Sequence, residues 1–307
     1  FLMYRKRGFI FTGQGSQTEQ MGLSLYEKYD AAKEIYALLP EDLRELSFHG
    51  ALAEISKTEH LQPIMLALQI SILKILEANG IRPDAVCGLS LGEYSALVAA
   101  GALQPEEAIR VIRVRGAEMA RAAEKVESGM AAVIGMPEEE IAGAVAGLHA
   151  YLSNINSSRQ IVISGEKDAV TEASRILKEK GGKVLPLNVT GPFHTPYMED
   201  AVPGLKEALD KVEWKEPKTD YYTNTTGKVF AESFVAKISE NMLRQMTGPV
   251  RLYDCLKNMV ESGIEELVEI GSGKVVSAIV KKEFPQMTMK NIENAEDLEK
   301  YLADCFG

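Results

Sequence analysis

A serine in the first third of the chain has the setting of a catalytic nucleophile. Ser90 lies in Gly88-Leu89-Ser90-Leu91-Gly92, a GxSxG pattern that follows a short apolar segment and precedes a stretch rich in small, helix-forming residues. In a strand–turn–helix unit the flanking glycines permit a strained turn that exposes the hydroxyl, and the helix N terminus favours developing negative charge. The pattern predicts a nucleophile for acyl transfer or ester hydrolysis. A serine that only caps the helix is the alternative interpretation.

A serine nucleophile needs a general base, and the chain offers four histidines: His49, His60, His149 and His194. The first two lie in polar or amphipathic stretches, and His149 lies at a predicted helix–strand junction. His194 lies in a segment of glycine and prolines, which predicts a rigid loop that presents one imidazole. We therefore interpret His194 as the base. No histidine follows it, whereas an ordinary α/β-hydrolase has its catalytic histidine near the chain end, so a plain esterase is disfavoured.

Arg115 is a candidate anion-binding residue on a predicted helix over residues 105–126. Its side chain has apolar neighbours along the helix, namely Val111, Ile112, Val114, Ala117 and Met119. A guanidinium in such surroundings either pairs with a buried acid or binds an anionic ligand, because a desolvated charge must be matched. Its planar fork suits the two oxygens of a carboxylate.

Two glycine-rich segments resemble phosphate-binding loops but lack required residues. The segment 13–18 begins like GxGxxG and has Thr18 in place of the last glycine. The segment 271–274 resembles part of a P-loop, but Val268 and Val275 replace its first glycine and its Ser or Thr. We interpret both as tight turns at strand ends.

The elements that must position these residues alternate between strand and helix. Hydrophobic patterning predicts strands at 8–12, 84–88, 130–134, 151–155, 160–164, 183–187 and 266–270, and helices at 63–79, 91–100, 105–126, 137–147, 168–180, 198–212, 234–246 and 252–262. Residues 128–190 follow the β-α-β-β-α-β order of ferredoxin-like units. We predict an α/β fold, with a larger unit of mainly parallel sheet from residues 1–127 and 191–307 and a ferredoxin-like subdomain inserted at 128–190.

Composition narrows the function classes. The 307 residues carry a net charge of −10, which disfavours broad nucleic-acid binding. Cys87, Cys255 and Cys305 are far apart and form no CxxC pair, so we expect neither disulfides nor a zinc site, and a reducing cytoplasm as the compartment. We recognise no signal peptide and no apolar run of the length that a membrane span needs, and we expect no membrane association.

Taken together, these segments resemble the malonyl-CoA:acyl carrier protein transacylases of fatty acid synthesis and the related acyltransferases of polyketide synthesis. The resemblance covers nearly the whole chain. It rests on Phe11-Thr12-Gly13-Gln14-Gly15-Ser16-Gln17, Gly88 to Ala96, Arg115-Gly116, Asn156 with Val162-Ile163-Ser164-Gly165, Gly191-Pro192-Phe193-His194, Gln245 with Pro249-Val250-Arg251, and Glu269-Ile270-Gly271. The family fold is an α/β-hydrolase-like core with a ferredoxin-like insert, in agreement with the predicted elements. This chain departs from many bacterial members at Thr12, where Pro is common, and at Leu89, where His is common.

The resemblance implies a role for each site residue. Ser90 accepts the acyl group, His194 is its base, and the backbone N–H groups of Gln14 and Leu91 bind the oxyanion. Arg115 binds the malonyl carboxylate, and Gln245 helps to orient the histidine and the serine. The remaining expected contacts to the acyl group come from Met119, Met130 and Phe193. A Phe before the histidine accompanies malonyl specificity in related polyketide acyltransferases, and a packed loop aromatic is the alternative.

The expected activity is therefore ping-pong transfer of malonyl from malonyl-CoA to the phosphopantetheine thiol of an acyl carrier protein, with no metal and no cofactor, by a monomer. A transferase that serves a polyketide pathway has the same chemistry and stays open. An acyl-thioester hydrolase and a catalytically silent docking protein are the remaining alternatives. Arg115 argues against the hydrolase, and the pairing of Ser90 with His194 argues against the docking protein.

Overall fold

The structure is a computed structural model that describes residues 5–188, 191–230 and 233–307. Its strands are β1 (Arg7–Phe11), β2 (Ala85–Gly88), β3 (Ser128–Ile134), β4 (Ala150–Ser157), β5 (Gln160–Glu166), β6 (Lys183–Pro186), β7 (Asp220–Tyr221), β8 (Glu266–Ile270) and β9 (Thr288–Ile292). Its helices are α1 (Leu23–Lys28), α2 (Asp30–Tyr36), α3 (Glu41–His49), α4 (Leu52–Ile55), α5 (Thr58–Ala78), α6 (Gly92–Ala99), α7 (Pro105–Ala123), α8 (Glu138–Val145), α9 (Lys167–Glu179), α10 (Val202–Asp210), α11 (Phe234–Thr247), α12 (Leu252–Glu261), α13 (Val275–Glu283) and α14 (Ala295–Phe306), with a 3₁₀ helix at Pro196–Ala201.

The larger sheet is parallel and has the strand order β7-β2-β1-β8-β9 in the described chain. The last residue of β1, Phe11, pairs with Gly88 at the end of β2 and with Ile270 at the end of β8. The loops that follow these three strands therefore start at one edge of the sheet, where open α/β sheets bind their ligands. Both Gln14 and Ser90 lie in these loops.

The smaller sheet is antiparallel, with the order β4-β5-β3-β6 and with α8 and α9 as its crossover helices. This is the arrangement of a ferredoxin-like unit, and it lies between two parts of the chain that build the parallel sheet. The predicted fold class is confirmed. The subdomain boundaries at 127/128 and 190/191 stay a prediction, and residues 189 and 190 lie outside the described residues.

Helix α5 is buried on nearly every face, as its apolar sequence predicts. It is long and apolar enough to cross a membrane, but 83% of its most apolar stretch is buried inside the protein, which makes it a core helix. We predicted that it starts at Pro63, whereas it starts at Thr58 and contains the proline. A proline this close to the helix start removes a single bond, to the carbonyl of Glu59, and the buried Leu61 and Gln62 hold the first turns in place.

The helix predicted at 198–212 is two elements, a 3₁₀ helix over Pro196–Ala201 and then α10. Pro203 cannot donate to the carbonyl of Glu199, so an uninterrupted α-helix would lose a bond at this point, and the chain uses tighter turns before it. The hydroxyl of Thr195 caps the 3₁₀ helix by accepting a hydrogen bond from the N–H of Tyr197.

Candidate active site

The turn that carries Ser90 is strained in the manner of a nucleophile elbow. Ser90 lies two residues after the end of β2 and two residues before the start of α6, and it has a φ angle of +57°. Among the described residues, only four that are not glycine have positive φ, and two of these are Ser90 and His194. At Gly92, a Cβ atom would lie 2.2 Å from the carbonyl oxygen of Phe11, so no other residue fits there. Strain of this kind persists where the surrounding structure enforces it.

His194 lies within hydrogen-bonding distance of the serine. Its Nε2 atom is 2.7 Å from Ser90 Oγ, although the two residues are 104 positions apart in the sequence. Its Nδ1 atom is 2.8 Å from the backbone carbonyl of Gln245. A carbonyl only accepts, so Nδ1 carries the proton and Nε2 is free to accept from the serine hydroxyl. This is the tautomer that a general base for Ser90 requires.

The environment of His194 keeps the imidazole neutral. The ring is buried, and this burial, with a smaller contribution from the positive charge of Arg115, lowers its pKa to about 4 from an ordinary value of 6.5. At neutral pH the ring is therefore unprotonated and able to take a proton.

Arg115 is fully buried beside the serine, and its hydrogen-bond partners in the described chain are uncharged. Its Nη2 atom is 3.2 Å from Ser90 Oγ and 3.0 Å from Gln245 Oε1, and its Nη1 atom is 2.7 Å from Gln62 Oε1. Its Nε–H is buried with no hydrogen-bond partner among the described residues. Burial lowers the pKa of the guanidinium, which nevertheless stays charged because the pKa of Arg starts so high. A buried cation without an acidic partner at hydrogen-bonding distance points to an anionic ligand.

Helix packing brings the guanidinium to this position. Arg115 is on α7, which packs closely against α5. The next residue, Gly116, makes this approach possible, because a Cβ atom there would lie 3.1 Å from the Cα atom of Glu59 and from the carbonyl oxygen of Thr58. The sequence predicts an arginine in apolar surroundings but not the amides of Gln62 and Gln245 that hold it.

Gln245, on α11, contacts Ser90, His194 and Arg115. Its Nε2 donates to the backbone carbonyl of Ser90 at 2.8 Å, its Oε1 accepts from Arg115, and its backbone carbonyl accepts from His194. The side chain is fully buried. The geometry fits the orienting role that the resemblance implies for this residue.

Asn224, which no sequence motif predicted, holds the turn from the opposite side. Its Oδ1 accepts from the N–H of Ser90 at 3.0 Å, and its Nδ2 donates to the carbonyl of Gly88 at 2.6 Å. The backbone N–H of Asn224 in turn donates to the buried carboxyl group of Glu93, which also accepts from the hydroxyl of Thr223. Burial raises the pKa of Glu93. No sequence pattern marked Asn224, because its partners lie more than 130 residues away.

The other residues that the sequence predicts for the site, two for the oxyanion and three for the acyl group, lie on different elements. Gln14 follows β1, and Leu91 lies at the N terminus of α6, where backbone N–H groups lack helical partners. Met119 is buried, and its sulfur accepts from Gln62 Nε2 at 3.4 Å. Phe193 belongs to the main hydrophobic core. Met130 is a partly exposed residue of β3, and the acyl-binding roles of these three side chains stay predictions.

No group of three or more His, Cys, Asp and Glu side chains in the described chain is arranged to hold a metal ion. Cys87 and Cys255 are buried thiols, Cys305 is partly buried, and all three are free.

Comparison with known proteins connects this geometry to a family. Residues 8–304 match the acyl transferase domain family. The chain belongs to this family. The resemblance found in the sequence is therefore confirmed, and the protein is an acyltransferase.

Named relatives are similar over nearly their whole length. The malonyl CoA-acyl carrier protein transacylase of Bacillus subtilis (strain 168) is 38% identical over 304 residues, which are 96% of this chain and 95% of that protein. The crystal structure of the malonyl CoA-acyl carrier protein transacylase of Clostridium perfringens is 34% identical, with a TM-score of 0.92 and coverage of 97% of this chain and 96% of that one. A malonyl-transacylase in complex with the holo acyl carrier protein of a type II polyketide synthase is 31% identical, with a TM-score of 0.91 and coverage of 97% and 99%.

Proposed function

We propose that this acyltransferase moves a malonyl group from malonyl-CoA to the phosphopantetheine thiol of an acyl carrier protein, through a malonyl ester on Ser90. One observation carries the proposal: a serine hydrogen-bonded to a neutral histidine lies 3.2 Å from a buried arginine whose partners are uncharged. The pairing of Ser90 with His194 supplies acyl-transfer chemistry, and Arg115 supplies recognition of an acyl group that ends in a carboxylate. The names of the relatives support the same substrates.

The first half-reaction forms the ester. Nε2 of His194 takes the proton of the Ser90 hydroxyl as Oγ attacks the thioester carbonyl of malonyl-CoA. The tetrahedral oxyanion is bound by the backbone N–H groups of Gln14 and Leu91, and the N terminus of α6 adds a favourable field. Collapse breaks the carbon–sulfur bond, and the imidazolium returns the proton to the leaving thiolate of CoA. Arg115 holds the malonyl carboxylate throughout.

The second half-reaction repeats these steps with a different nucleophile. His194 takes the proton of the carrier's phosphopantetheine thiol, the sulfur attacks the ester carbonyl, and Ser90 leaves and recovers its proton. The clamped carboxylate orients the ester and leaves less room for an attacking water, which favours transfer over hydrolysis.

The identity of the carrier protein is a separate question from the chemistry. A transferase that serves a polyketide carrier would use the same residues, and one similar structure is a complex with such a carrier. We favour a carrier of fatty acid synthesis, because the curated relatives are named malonyl CoA-acyl carrier protein transacylases.

Intact-protein mass spectrometry after incubation with malonyl-CoA tests the proposal. The wild-type chain should gain one malonyl group, and the label should move to a holo acyl carrier protein added afterwards. Ser90→Ala should gain nothing, whereas the control Ser158→Ala, at an exposed serine in the turn between β4 and β5, should label normally. Rapid release of free malonate without a stable adduct would indicate a hydrolase. An unlabelled wild-type chain would contradict the proposal.

A further inference from the structure

Gln62 is a buried amide in a helix of largely apolar residues, and it lies directly against Arg115. Its side chain is 1% exposed, and its Oε1 accepts from Arg115 Nη1 at 2.7 Å. The other side-chain amide on this guanidinium is that of Gln245, at 3.0 Å. Buried arginines ordinarily have an acid at these positions, because a buried charge is costly unless it is matched. Here two neutral amide oxygens accept the hydrogen bonds, and no acid lies at hydrogen-bonding distance from the guanidinium among the described residues.

Gln62 also connects Arg115 to the loop after β1. Its Nε2 donates to Thr58 Oγ1 at 3.0 Å, and Thr58 Oγ1 donates to Gln14 Oε1 at 2.9 Å. The direction of each bond is determined, since Gln62 uses its oxygen on the guanidinium and only its nitrogen remains for Thr58. The three hydrogen bonds join the residue proposed to bind the carboxylate to a residue proposed to bind the oxyanion.

We propose that Gln62 is a positioning residue that determines specificity. It fixes the guanidinium of Arg115 through a neutral acceptor, so that the positive charge remains available to the carboxylate of the acyl group. It also links Arg115 to the oxyanion loop through Thr58. The inference rests on the proposed malonyl transfer. It adds the reason why an acyl group with a terminal carboxylate is preferred to one without it.

The proposal depends on the charge of the side chain at position 62, which accepts the hydrogen bond from Arg115. A carboxylate at position 62 would pair with Arg115 Nη1, where the neutral amide now binds, and would neutralise the charge proposed to bind the substrate's carboxylate. The strong field of the guanidinium would keep the carboxylate at position 62 ionised. A bound malonyl group would also face a like charge at short range, which is strongly unfavourable in a dry site. Acetyl has no carboxylate, so neither effect applies to it.

The carboxyl group of Glu93 acts on the guanidinium of Arg115 from a distance and does not take the place of Gln62 beside it. Its described hydrogen bonds are to Tyr221, Thr223 and Asn224, on the other side of the elbow, and no direct bond to Arg115 is present among the described contacts. Its negative charge raises the pKa of the guanidinium through space. An acid at position 62 would therefore add a second negative charge to that of Glu93, and this second charge would be in direct contact with Arg115.

Steady-state transfer of malonyl and acetyl from their CoA thioesters to one holo acyl carrier protein tests the inference. Gln62→Glu should lower the malonyl-to-acetyl ratio of kcat/KM by about tenfold or more, the change that corresponds to a like-charge penalty above 1.4 kcal/mol. Gln62→Met, which removes the hydrogen bonds without adding charge, should lower the ratio less. Gln69→Glu is the matched control, because Gln69 is a fully buried amide on the same helix that bonds to Thr12 and Ser95 instead of Arg115; its ratio should equal that of the wild type.

Thr58→Val tests the link to the oxyanion loop and needs no buried charge. The substitution preserves shape and removes the hydroxyl, so it should lower kcat for malonyl by roughly threefold to tenfold, the value of one or two neutral hydrogen bonds, with a smaller change in KM. If Gln62→Glu does not fold, Gln62→Met and Thr58→Val decide the outcome.

The outcomes separate this inference from the proposed function. If the wild-type chain does not transfer malonyl, the proposed function fails. If the wild type transfers malonyl and Gln62→Glu loses malonyl and acetyl transfer equally, Gln62 is merely structural and the inference is overturned. The inference is also overturned if Gln62→Glu leaves the malonyl-to-acetyl ratio of kcat/KM unchanged. It is overturned as well if Thr58→Val leaves kcat unchanged and Gln62→Met leaves that ratio unchanged.

Discussion

The Nδ1 atom of His194 lies 2.8 Å from the backbone carbonyl of Gln245, at the position that a carboxylate occupies in a Ser-His-Asp triad. The carbonyl fixes the tautomer and the ring plane as a carboxylate does, but it carries no full charge to stabilise an imidazolium. Burial, with a smaller contribution from the charge of Arg115, lowers the pKa of the imidazole to about 4, and the hydrogen bond to this carbonyl only partly opposes that shift. The serine is therefore paired with a base that is neutral over the whole physiological range.

The pH dependence of acylation should reflect this low pKa. Only unprotonated His194 can accept the serine proton, so kcat/KM should stay level from about pH 8 to pH 5 and fall as the pH approaches 4. Arg115→Ala removes a charge that lowers this pKa, so its acid limb should move to higher pH. The measurement is kcat/KM for malonyl-CoA against pH, with stability checked at each point. An acid limb at pH 6.5 in the wild type would contradict the prediction.

The proposed function predicts that Arg115→Ala lowers both the rate of malonyl transfer and the preference for malonyl over acetyl. Removing one partner of a buried charge pair costs on the order of 2–5 kcal/mol, so malonyl transfer should fall by about 30-fold or more relative to acetyl transfer. Acetyl has no carboxylate to lose contact with the guanidinium. Arg113→Ala, at an exposed arginine of the same helix, is the control and should leave the ratio unchanged. An equal loss for both thioesters would mean that Arg115 has a structural role only.

Asn224→Ala should slow the transfer of malonyl and acetyl equally, because both reactions use the turn that Asn224 holds. Loss of the bonds to the N–H of Ser90 and the carbonyl of Gly88 leaves two buried backbone groups unmatched, so we expect kcat to fall by about tenfold to 100-fold with little change in the malonyl-to-acetyl ratio. The control is Asn258→Ala, which removes a hydrogen bond to the carbonyl of Gly227, a group that does not contact Ser90 among the described hydrogen bonds. A change in the ratio, or a normal kcat, would argue against this positioning role.

Glu269 should make the stability of the protein depend on pH. Burial raises its pKa to about 7 from 4.5, although Ser277 and the N–H of Val276 donate to it. The folded state then binds the proton more tightly than the unfolded state, so this residue lowers the stability as the pH rises from 4.5 through 7. Glu269→Gln should abolish that loss, which is of the order of 3 kcal/mol.

The test of this prediction is chemical denaturation of wild type and Glu269→Gln between pH 5 and pH 8. The difference in the free energy of unfolding should grow with pH and level off above pH 7. Glu261→Gln, at an exposed carboxyl group, should show no such trend. A constant difference across the range would show that the carboxyl group of Glu269 does not titrate there.

Local sequence was sufficient for most of the elements and for the elbow. The GxSxG pattern around Ser90 needs only a strand, a turn and a helix in succession, and glycine at position 92 follows from close backbone contact within that unit and with β1. The helix start at Thr58 and the division of residues 196–210 were not predictable in the same way. Both depend on how a proline is tolerated by the surrounding packing rather than on the proline alone.

By itself the sequence determined the class of fold and indicated one candidate nucleophile, one candidate base and one candidate anion-binding residue, because each has a local signature in residue type and spacing. The tertiary structure alone decided that these residues meet, with His194 Nε2 2.7 Å from Ser90 Oγ and Arg115 3.2 Å from the same oxygen. It also decided the partners that no motif marks: the amides of Gln62 and Gln245 on the guanidinium and that of Asn224 on the elbow. Such contacts join residues that are distant in the chain, and they depend on which helix faces pack together at the edge of the parallel sheet.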